Sequence, residues 1–410
     1  MKRRVVITGM GAICAIGNNV EDVWSNAEKG VCGIETLEPF SRREMKVTVA
    51  APVKKFDPTA FMDKMEARRS SRFTQLAIGT ATQAIEQSGI EIEKENPSRC
   101  GVNISSGIGG LDVIEAEHYR GIEKGFDRVS PLFVPSSITN MAAGLVAIRL
   151  GFKGSCTCVV TACASSTNAI GEAFRSIRDG YAEVMATGGA ESCITEFGIG
   201  GFTAMRALSQ AKDPMRASIP FDKEREGFVM GEGAGILILE EREHALARGA
   251  KILGEIAGYG VSCDANHMTA PLEDGSGAAL AMSSAIEDAG IEPWEIGYIN
   301  AHGTGTPMND RCETLAVKTA FGDHARKLAI SSTKSMMGHT LGASGALETI
   351  LTVKALENSI APPTIGYREY DEDCDLNIVP GKSQGFEGEY AMSNSLGFGG
   401  HNGSIVLKKV

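Results

Sequence analysis

Cys163 stands in Thr161-Ala162-Cys163-Ala164-Ser165-Ser166, and two histidine-bearing stretches follow far downstream, His302-Gly303-Thr304-Gly305-Thr306 and Lys334-Ser335-Met336-Met337-Gly338-His339. A thiol can accept an acyl group as a thioester and so split one difficult transfer into two easier steps. Imidazole N–H groups can steady an oxygen that becomes negative during such chemistry. Thr157-Cys158-Val159-Val160-Thr161 predicts a buried strand, and Ala169, Ile170, Ala173, Phe174 and Ile177 recur at helical spacing. Cys163 therefore falls on the turn between them, at a helix N-terminus. Free main-chain amides and the positive end of the helix dipole there favour the thiolate, which predicts a thiol pKa below the free value of about 8.5. The same amides suit a carbonyl oxygen under attack. A cysteine after an apolar strand is ordinarily a small buried hydrophobe. What separates Cys163 from the rest of the ten cysteines is the company of His302, Lys334 and His339.

The elements that must position these residues alternate. Strand-like runs at Val5 to Thr8, Val102 to Ile104, Cys158 to Val160, Val184 to Thr187 and Ile236 to Leu239 are interleaved with amphipathic stretches near 73–87, 138–150 and 165–178. The alternation restarts at about 251, with strands expected at Ile252 to Tyr259, Tyr298 to Asn300, Leu328 to Ser332, 376–379, 390–394 and 404–408, and helices near 277–289, 310–320 and 345–357. This is an α/β chain in two similar halves, 1–250 and 251–410. No Pro- or Ser-rich linker divides them, and Gly233 to Glu240 runs directly into the helix-like Glu241 to Arg248. Cys163, His302 and His339 each follow a strand, and ligand sites in such folds gather at strand carboxyl ends.

Composition excludes several classes. With 410 residues, 43% hydrophobic and 22% charged, the chain is neither disordered nor fibrous. Its basic start, Met1-Lys2-Arg3-Arg4 and Val5-Val6-Ile7-Thr8-Gly9, leads into an apolar run too short and too glycine-broken for a signal peptide or a membrane span, which predicts a cytoplasmic protein with no membrane insertion. The cysteines show neither zinc-site spacing nor a disulfide framework, and Cys156 and Cys158 are expected on one face of a strand. A net charge of −11 argues against general nucleic-acid binding. A local basic patch is nevertheless expected where Lys64, Arg68 and Arg72 fall four apart on one helix, available to an acidic partner or simply to solvent.

Cys163, His302, Lys334, His339 and Gly397-Phe398-Gly399-Gly400-His401-Asn402, in that order, together with Gly188-Gly189-Ala190-Glu191 and Arg206-Ala207-Leu208-Ser209, closely resemble the elongating β-ketoacyl-acyl carrier protein synthases of class II. The resemblance runs from Val5 to Leu407. It implies the thiolase-like fold, a duplicated five-layered α/β/α/β/α architecture, and a homodimer. It also implies a decarboxylative Claisen condensation: Cys163 accepts an acyl chain from acyl carrier protein, and malonyl-carrier protein loses carbon dioxide and extends the chain by two carbons. By the same resemblance His302 and His339 stabilise the malonyl thioester oxygen as neutral N–H donors, Lys334 supplies an electrostatic role with Glu313 as its ion-pair partner, and Asp310 supports the site. The amides of Cys163 and Phe398 become the oxyanion donors, with Phe398 as a gate. Ile108 is implied in the acyl pocket, Thr304 and Thr306 on the phosphopantetheine arm, Phe202 and Thr269 in substrate binding, and Lys64, Arg68, Arg69 and Arg206 in carrier-protein docking. No resident cofactor or metal is implied, because the phosphopantetheine enters on the carrier protein. His267 lies in a matching segment with no assigned role, and Asn266 departs from the aromatic residue frequent there. His118, His244, His324 and His401 read as structural.

Several competing readings conflict with particular residues. A thiolase requires a second cysteine in the C-terminal glycine-rich loop, where this chain has Phe398. A class III starter enzyme has asparagine in place of His339, and a decarboxylase-only relative lacks Cys163. A polyketide or specialised-lipid ketosynthase keeps the same triad and is the nearest alternative. A dinucleotide fingerprint opens a helix, whereas Gly231-Glu232-Gly233-Ala234-Gly235 leads into Ile236-Leu237-Ile238-Leu239. Redox sensing by Cys163 leaves both histidines without a purpose.

Overall fold

The computed structural model describes residues 3–37 and 45–410. Its main strands fall into two sets of five. The first comprises β1 (Val5–Cys14), β2 (Cys100–Ser105), β3 (Cys156–Thr157), β4 (Val184–Glu191) and β5 (Gly233–Glu241). The second comprises β6 (Gly254–Cys263), β7 (Ile296–Asn300), β8 (Ala329–Ser331), β9 (Tyr390–Gly397) and β10 (His401–Lys408). Their spatial order is β3-β2-β4-β5-β1 followed by β6-β10-β9-β7-β8, so each set repeats the same sequence outward from a central join. The directions repeat as well. β2 is parallel to β3 and β4 while β4–β5 and β5–β1 are antiparallel; β7 is parallel to β8 and β9 while β9–β10 and β10–β6 are antiparallel. The sets meet where Val5, Val6 and Ile7 of β1 pair with Ile256, Glu255 and Gly254 of β6.

Six helices complete the layers: α1 (Arg72–Ser88), α2 (Met141–Leu150), α3 (Ser165–Arg178), α4 (Ser276–Ala289), α5 (Pro307–Phe321) and α6 (Ser344–Asn358). α1 and α2 cover one outer face, α4 and α5 the other, and α3 and α6 pack on each other and on strands of both sets. The result is a five-layered α/β/α/β/α duplication of the thiolase-like kind. The central layer must therefore be buried on every side, and each residue of α6 from Ser344 to Val353 is. Its two threonine hydroxyls are satisfied within the helix, Thr349 Oγ1 donating to Gly345 O at 2.6 Å and Thr352 Oγ1 to Glu348 O at 2.7 Å.

The same packing device recurs in both sets. Gly9 and Gly11 of β1 lie under α1, where an added Cβ would come within 2.0 Å of Ala84 O and 2.0 Å of Thr80 O. Gly258 and Gly260 of β6 lie under α4, where the distances would be 2.3 Å to Ala285 O and 2.1 Å to Ala281 O. A Gly-x-Gly on each first strand thus lets a helix backbone rest on the sheet. Gly11→Ala is expected to cost about 1–3 kcal/mol by overpacking. Chemical denaturation checks this, and an unchanged midpoint would remove the close approach from the account.

Three local expectations fail for identifiable reasons. The strand expected over 157–161 shrinks to Cys156–Thr157, an exposed edge carrying Cys156 while Cys158 lies past its end. The strand expected at 376–379 forms no ladder and is buried only at Ile378 and Val379: Val379 has φ 47°, and Asn377 O reaches β8, accepting from Ile330 N at 2.9 Å. The helix expected to carry Lys64, Arg68 and Arg72 on one face spans only Lys64–Arg69, because Ser70 is extended at φ −103°, ψ 139° and Ser71 caps α1. Arg72 turns inward to Glu232, with Nη2 2.7 Å from Oε1.

Candidate active site

The sulfur is set by a strained turn. Ala162 has φ 52°, and Ala162–Ala164 form a single 3-10 turn that runs into α3. Ser165 Oγ staples the turn, accepting from Thr161 N at 2.9 Å and donating to Ala162 O at 2.6 Å. Gly397, at the end of β9, comes so close that an added Cβ would lie 2.7 Å from Thr161 O and 3.3 Å from Cys163 N. Cys163 is 8% exposed. The main-chain N–H groups of Cys163 and Phe398 both donate toward its sulfur, the pair of donors the resemblance implies for an oxyanion.

The helix terminus does not make Cys163 acidic. Burial pushes its thiol up to about 12, outweighing Lys334 and the two amides, which pull it down, while Glu191 adds to the rise. The resting residue is a thiol, and the expected depression is overturned by desolvation.

The two imidazoles face each other with ring centroids 5.3 Å apart at 85°. Both are 2% exposed. His302 follows β7, and its main chain is anchored by Glu313, whose Oε1 accepts from His302 N and Oε2 from Gly303 N, both at 2.8 Å. Its Nδ1 lies 3.5 Å from Lys334 Nζ, an ammonium that can only donate. His339 Nδ1 lies 2.9 Å from Ser344 Oγ and accepts from Leu341 N at 3.3 Å. With Nδ1 an acceptor on both rings, each proton is assigned to Nε2. Burial first, and the Lys334 charge second, hold both rings well below the usual 6.5, with His339 a further cause at His302. Both are therefore neutral donors at ordinary pH.

Lys334 is fully buried and donates to His302 O at 2.6 Å. Its ion-pair partner is Glu348 of α6, not Glu313. Burial raises the Glu348 carboxyl, and the Lys334 charge pulls it back. Burial also pushes Glu313 up to about 7, against the two N–H groups it accepts. The sequence signal for Glu348 is an acidic residue inside the apolar run Leu347 to Ala355, a charge that needs a buried counter-ion. Glu348→Leu leaves the Lys334 charge unpaired and is expected to destabilise the fold by about 3–5 kcal/mol. Glu313→Gln, which removes one acceptor for main-chain amides, is expected to cost about 1–3 kcal/mol. Denaturation of both variants ranks them, and the reverse order would return the lysine to Glu313.

Cys163, His302 and His339 line one pocket of about 380 Å³. Phe202, Arg206, Thr269, Thr304, Thr306 and Phe398 share its wall. The Thr304 and Thr306 hydroxyls lie 2.9 Å apart. Asp310 holds that loop, accepting from Gly305 N at 3.2 Å and Phe221 N at 2.8 Å, with Arg225 Nε 3.6 Å away. Ile108 lies outside the open pocket, in the apolar cluster that contains Cys163, Phe228 and Leu341. Lys64, Arg68 and Arg69 are exposed on their short helix, where Arg68 and Arg69 border a separate groove with Asp112 and Leu132. Among the described residues no group of three or more His, Cys, Asp or Glu is arranged to hold a metal ion. Sequence reasoning missed Phe228, whose ring packs edge-on at 5.1 Å from His339, and Ser344, which helps fix its tautomer.

A buried thiol beneath two main-chain donors, faced by two neutral imidazoles on a duplicated five-layered frame, is the equipment of an acyl-transferring condensing enzyme of the thiolase-like class. The chain belongs to the β-ketoacyl synthase family: the family's N-terminal domain matches residues 2–245 and its C-terminal domain residues 253–368. It is 50% identical over 409 residues to the 3-oxoacyl-[acyl-carrier-protein] synthase 2 of Synechocystis, covering 100% of this chain and 98% of that protein. The protein of the same name from Vibrio harveyi is 50% identical over 411 residues, covering 100% of this chain and 99% of its own. Among solved structures, a β-ketoacyl synthase from Burkholderia phymatum superposes with a TM-score of 0.92 at 34% identity over 100% of both chains. A ketosynthase solved in complex with its type II polyketide acyl-carrier protein gives 0.94 at 33% identity, also over 100% of both chains.

Proposed function

We propose that this protein is an elongating 3-oxoacyl-acyl carrier protein synthase of type II fatty acid synthesis, in which Cys163 carries the acyl chain and His302 and His339 drive malonyl decarboxylation. The observation that carries the reading is the single pocket in which a buried thiol meets two imidazoles held neutral with Nε2–H available. The identity of 50% over the full chain to 3-oxoacyl-acyl carrier protein synthases, against 33% to the polyketide ketosynthase, favours the fatty acid pathway over the polyketide one.

In the first half-reaction the Cys163 sulfur attacks the thioester carbon of acyl-carrier protein. The carbonyl oxygen, negative in the tetrahedral intermediate, rests on the N–H groups of Cys163 and Phe398. Collapse breaks the bond to the pantetheine sulfur, and the thiol proton leaves with that departing thiol, so no net base is consumed. In the second, malonyl-carrier protein binds and its carboxylate departs as carbon dioxide. The electron pair left behind forms an enolate whose oxygen takes the two imidazole N–H groups. Its carbon attacks the acyl-Cys163 carbonyl, expelling the Cys163 thiolate, which then takes a proton from solvent. The product is a 3-oxoacyl-carrier protein two carbons longer. The chemistry as proposed runs on side chains, with the phosphopantetheine arriving on the carrier and passing Thr269, Thr304 and Thr306.

The chain divides functionally at about residue 250, one half supplying the sulfur and the other both imidazoles. We further assign a homodimer, supported by the free edge of β3, beside which Val160 is 48% and Ile148 77% exposed. A cytoplasmic location is supported by ten cysteines that are all unpaired. No helix among the described residues is long and apolar enough to cross a membrane.

The test is intact-protein mass spectrometry after incubation with acyl-carrier proteins, then with malonyl-carrier protein. Acylation mapped to Cys163 followed by two-carbon extension is the expected result, and acylation from acyl-coenzyme A alone would overturn it. Carrier docking on the short basic helix adds a further expectation. Arg68→Glu with Arg69→Glu should raise KM for carrier-bound substrate about tenfold or more, with kcat nearly unchanged, because charge complementarity acts mainly on encounter. An unchanged KM would move the docking surface elsewhere.

A further inference from the structure

Glu191 closes β4 with its side chain fully buried, and its two oxygens gather donors from three separate segments. Oε1 accepts from Ser106 Oγ at 2.7 Å, Ile108 N at 3.3 Å and Cys193 Sγ at 3.5 Å. Oε2 accepts from Gly107 N at 2.6 Å and Gly342 N at 3.0 Å. Ser106 Oγ itself accepts from Gly109 N at 2.9 Å, so its proton points at the carboxylate. Burial raises the Glu191 carboxyl, and the donors from Ser106, Gly107, Gly342 and Ile108 pull it back toward the ionised form. The backbone is cut away to fit it: an added Cβ would lie 2.8 Å from Oε2 at Gly107 and 2.7 Å at Gly342.

The segments joined are the ones that flank the reacting groups. Ser106 to Ile108 ends in a residue packed against the apolar cluster that includes Cys163 and Leu341. Gly342 sits in the Leu341–Ala343 turn that leads from His339 into α6, as Ala162–Ala164 leads into α3. The two turns are duplicates. Thr340-Leu341-Gly342-Ala343-Ser344 repeats Thr161-Ala162-Cys163-Ala164-Ser165, and Leu341 has φ 46° where Ala162 has φ 52°. In the first turn the amide of Cys163 faces the sulfur; in the second the equivalent amide of Gly342 is taken by Glu191.

We propose that Glu191 is a positioning residue for the condensation, its carboxylate locking the Ser106–Ile108 wall of the acyl chamber against the turn that follows His339. The proposal rests on the reading of Cys163 as the acylated nucleophile and adds a determinant of primer selection that lies outside the pocket. The Glu191 charge also raises the Cys163 thiol, opposing Lys334, so its removal has a chemical signature that a packing role lacks.

Glu191→Gln keeps the shape, loses the charge and leaves at least one donor unpaired. Ser106→Ala loses one tie and keeps the charge. Both are compared with the wild-type protein for Cys163 alkylation by iodoacetamide across pH and for kcat/KM over a series of acyl-carrier primers, after thermal melts show a folded state. In Glu191→Gln, alkylation near neutral pH is expected to be faster by about threefold or more, and discrimination among primer lengths to change by about tenfold. Ser106→Ala is expected to leave the alkylation profile in place and still alter primer discrimination; it also carries the test if the glutamine variant does not fold. Primer profiles identical to wild type in whichever variants fold overturn the proposal. A wild-type protein that is not acylated at Cys163 overturns the functional reading itself, so the two failures are told apart.

Discussion

Cys163→Ala is expected to abolish acyl transfer and condensation, by at least about 10³-fold, while malonyl-carrier protein continues to lose carbon dioxide. The separation follows from where each group sits. The sulfur hangs on the strained Ala162–Ala164 turn at the head of α3, whereas the imidazoles are anchored by Glu313, Lys334, Leu341 and Ser344, none of which touches that turn through a hydrogen bond. Removing one sulfur atom leaves both Nε2–H groups aimed as before. Carbon dioxide release and acyl-enzyme formation, followed separately, check this, and simultaneous loss of both in a folded variant would refute the division of roles. The wild-type thiol adds a pH signature. Because burial pushes it up to about 12, alkylation of the resting protein should keep rising through the alkaline range rather than levelling near the ordinary thiol value.

His302→Ala and His339→Ala should each slow decarboxylation by about 10²–10³-fold, the usual cost of losing one preorganised donor to a developing oxyanion. The pH dependence has a definite sign. Both rings are held well below 6.5, so they stay neutral as pH falls through the range in which a free imidazole would charge. A charged ring would hand its proton to the enolate and quench the carbon nucleophile. The acid limb of condensation therefore lies below pH 6.5, and a limb at or above that value would contradict the buried, lysine-facing geometry. A histidine variant with wild-type decarboxylation would remove that residue from the mechanism.

Much of this was readable from residue types. Cys163, His302 and His339 each follow a strand, and chemistry-bearing residues at strand carboxyl ends converge in an α/β fold. The extent of α3 followed from periodicity, because Ala169, Ile170, Ala173, Phe174 and Ile177 keep an unbroken helical spacing. What escaped depended on tertiary partners. The resemblance pairs Lys334 with Glu313, but β7 and α5 direct that carboxylate to the amides of His302 and Gly303, while α6 delivers Glu348. The Thr157 to Thr161 run begins in the last strand of the sheet and continues beyond it, and composition alone does not distinguish it from a buried strand. The acidity expected of Cys163 came from the helix end alone, with no account of how little water reaches it.

The central layer of α3 and α6 has a consequence for how the enzyme tolerates change. Cys163 stands on the turn that leads into one of these helices, and the other follows the loop that bears His339 and supplies the counter-ion of Lys334, so the distances among these groups are set by how the two duplicated units dock. Neither copy holds a complete reaction centre. A substitution at the α3–α6 seam, such as one enlarging Gly345, whose Cβ would sit 1.9 Å from Thr167 Oγ1, shifts the copies against each other. A displacement of about 1 Å suffices to cost on the order of 10²-fold in rate. Selection for turnover and selection for a tight seam are, in this molecule, the same selection.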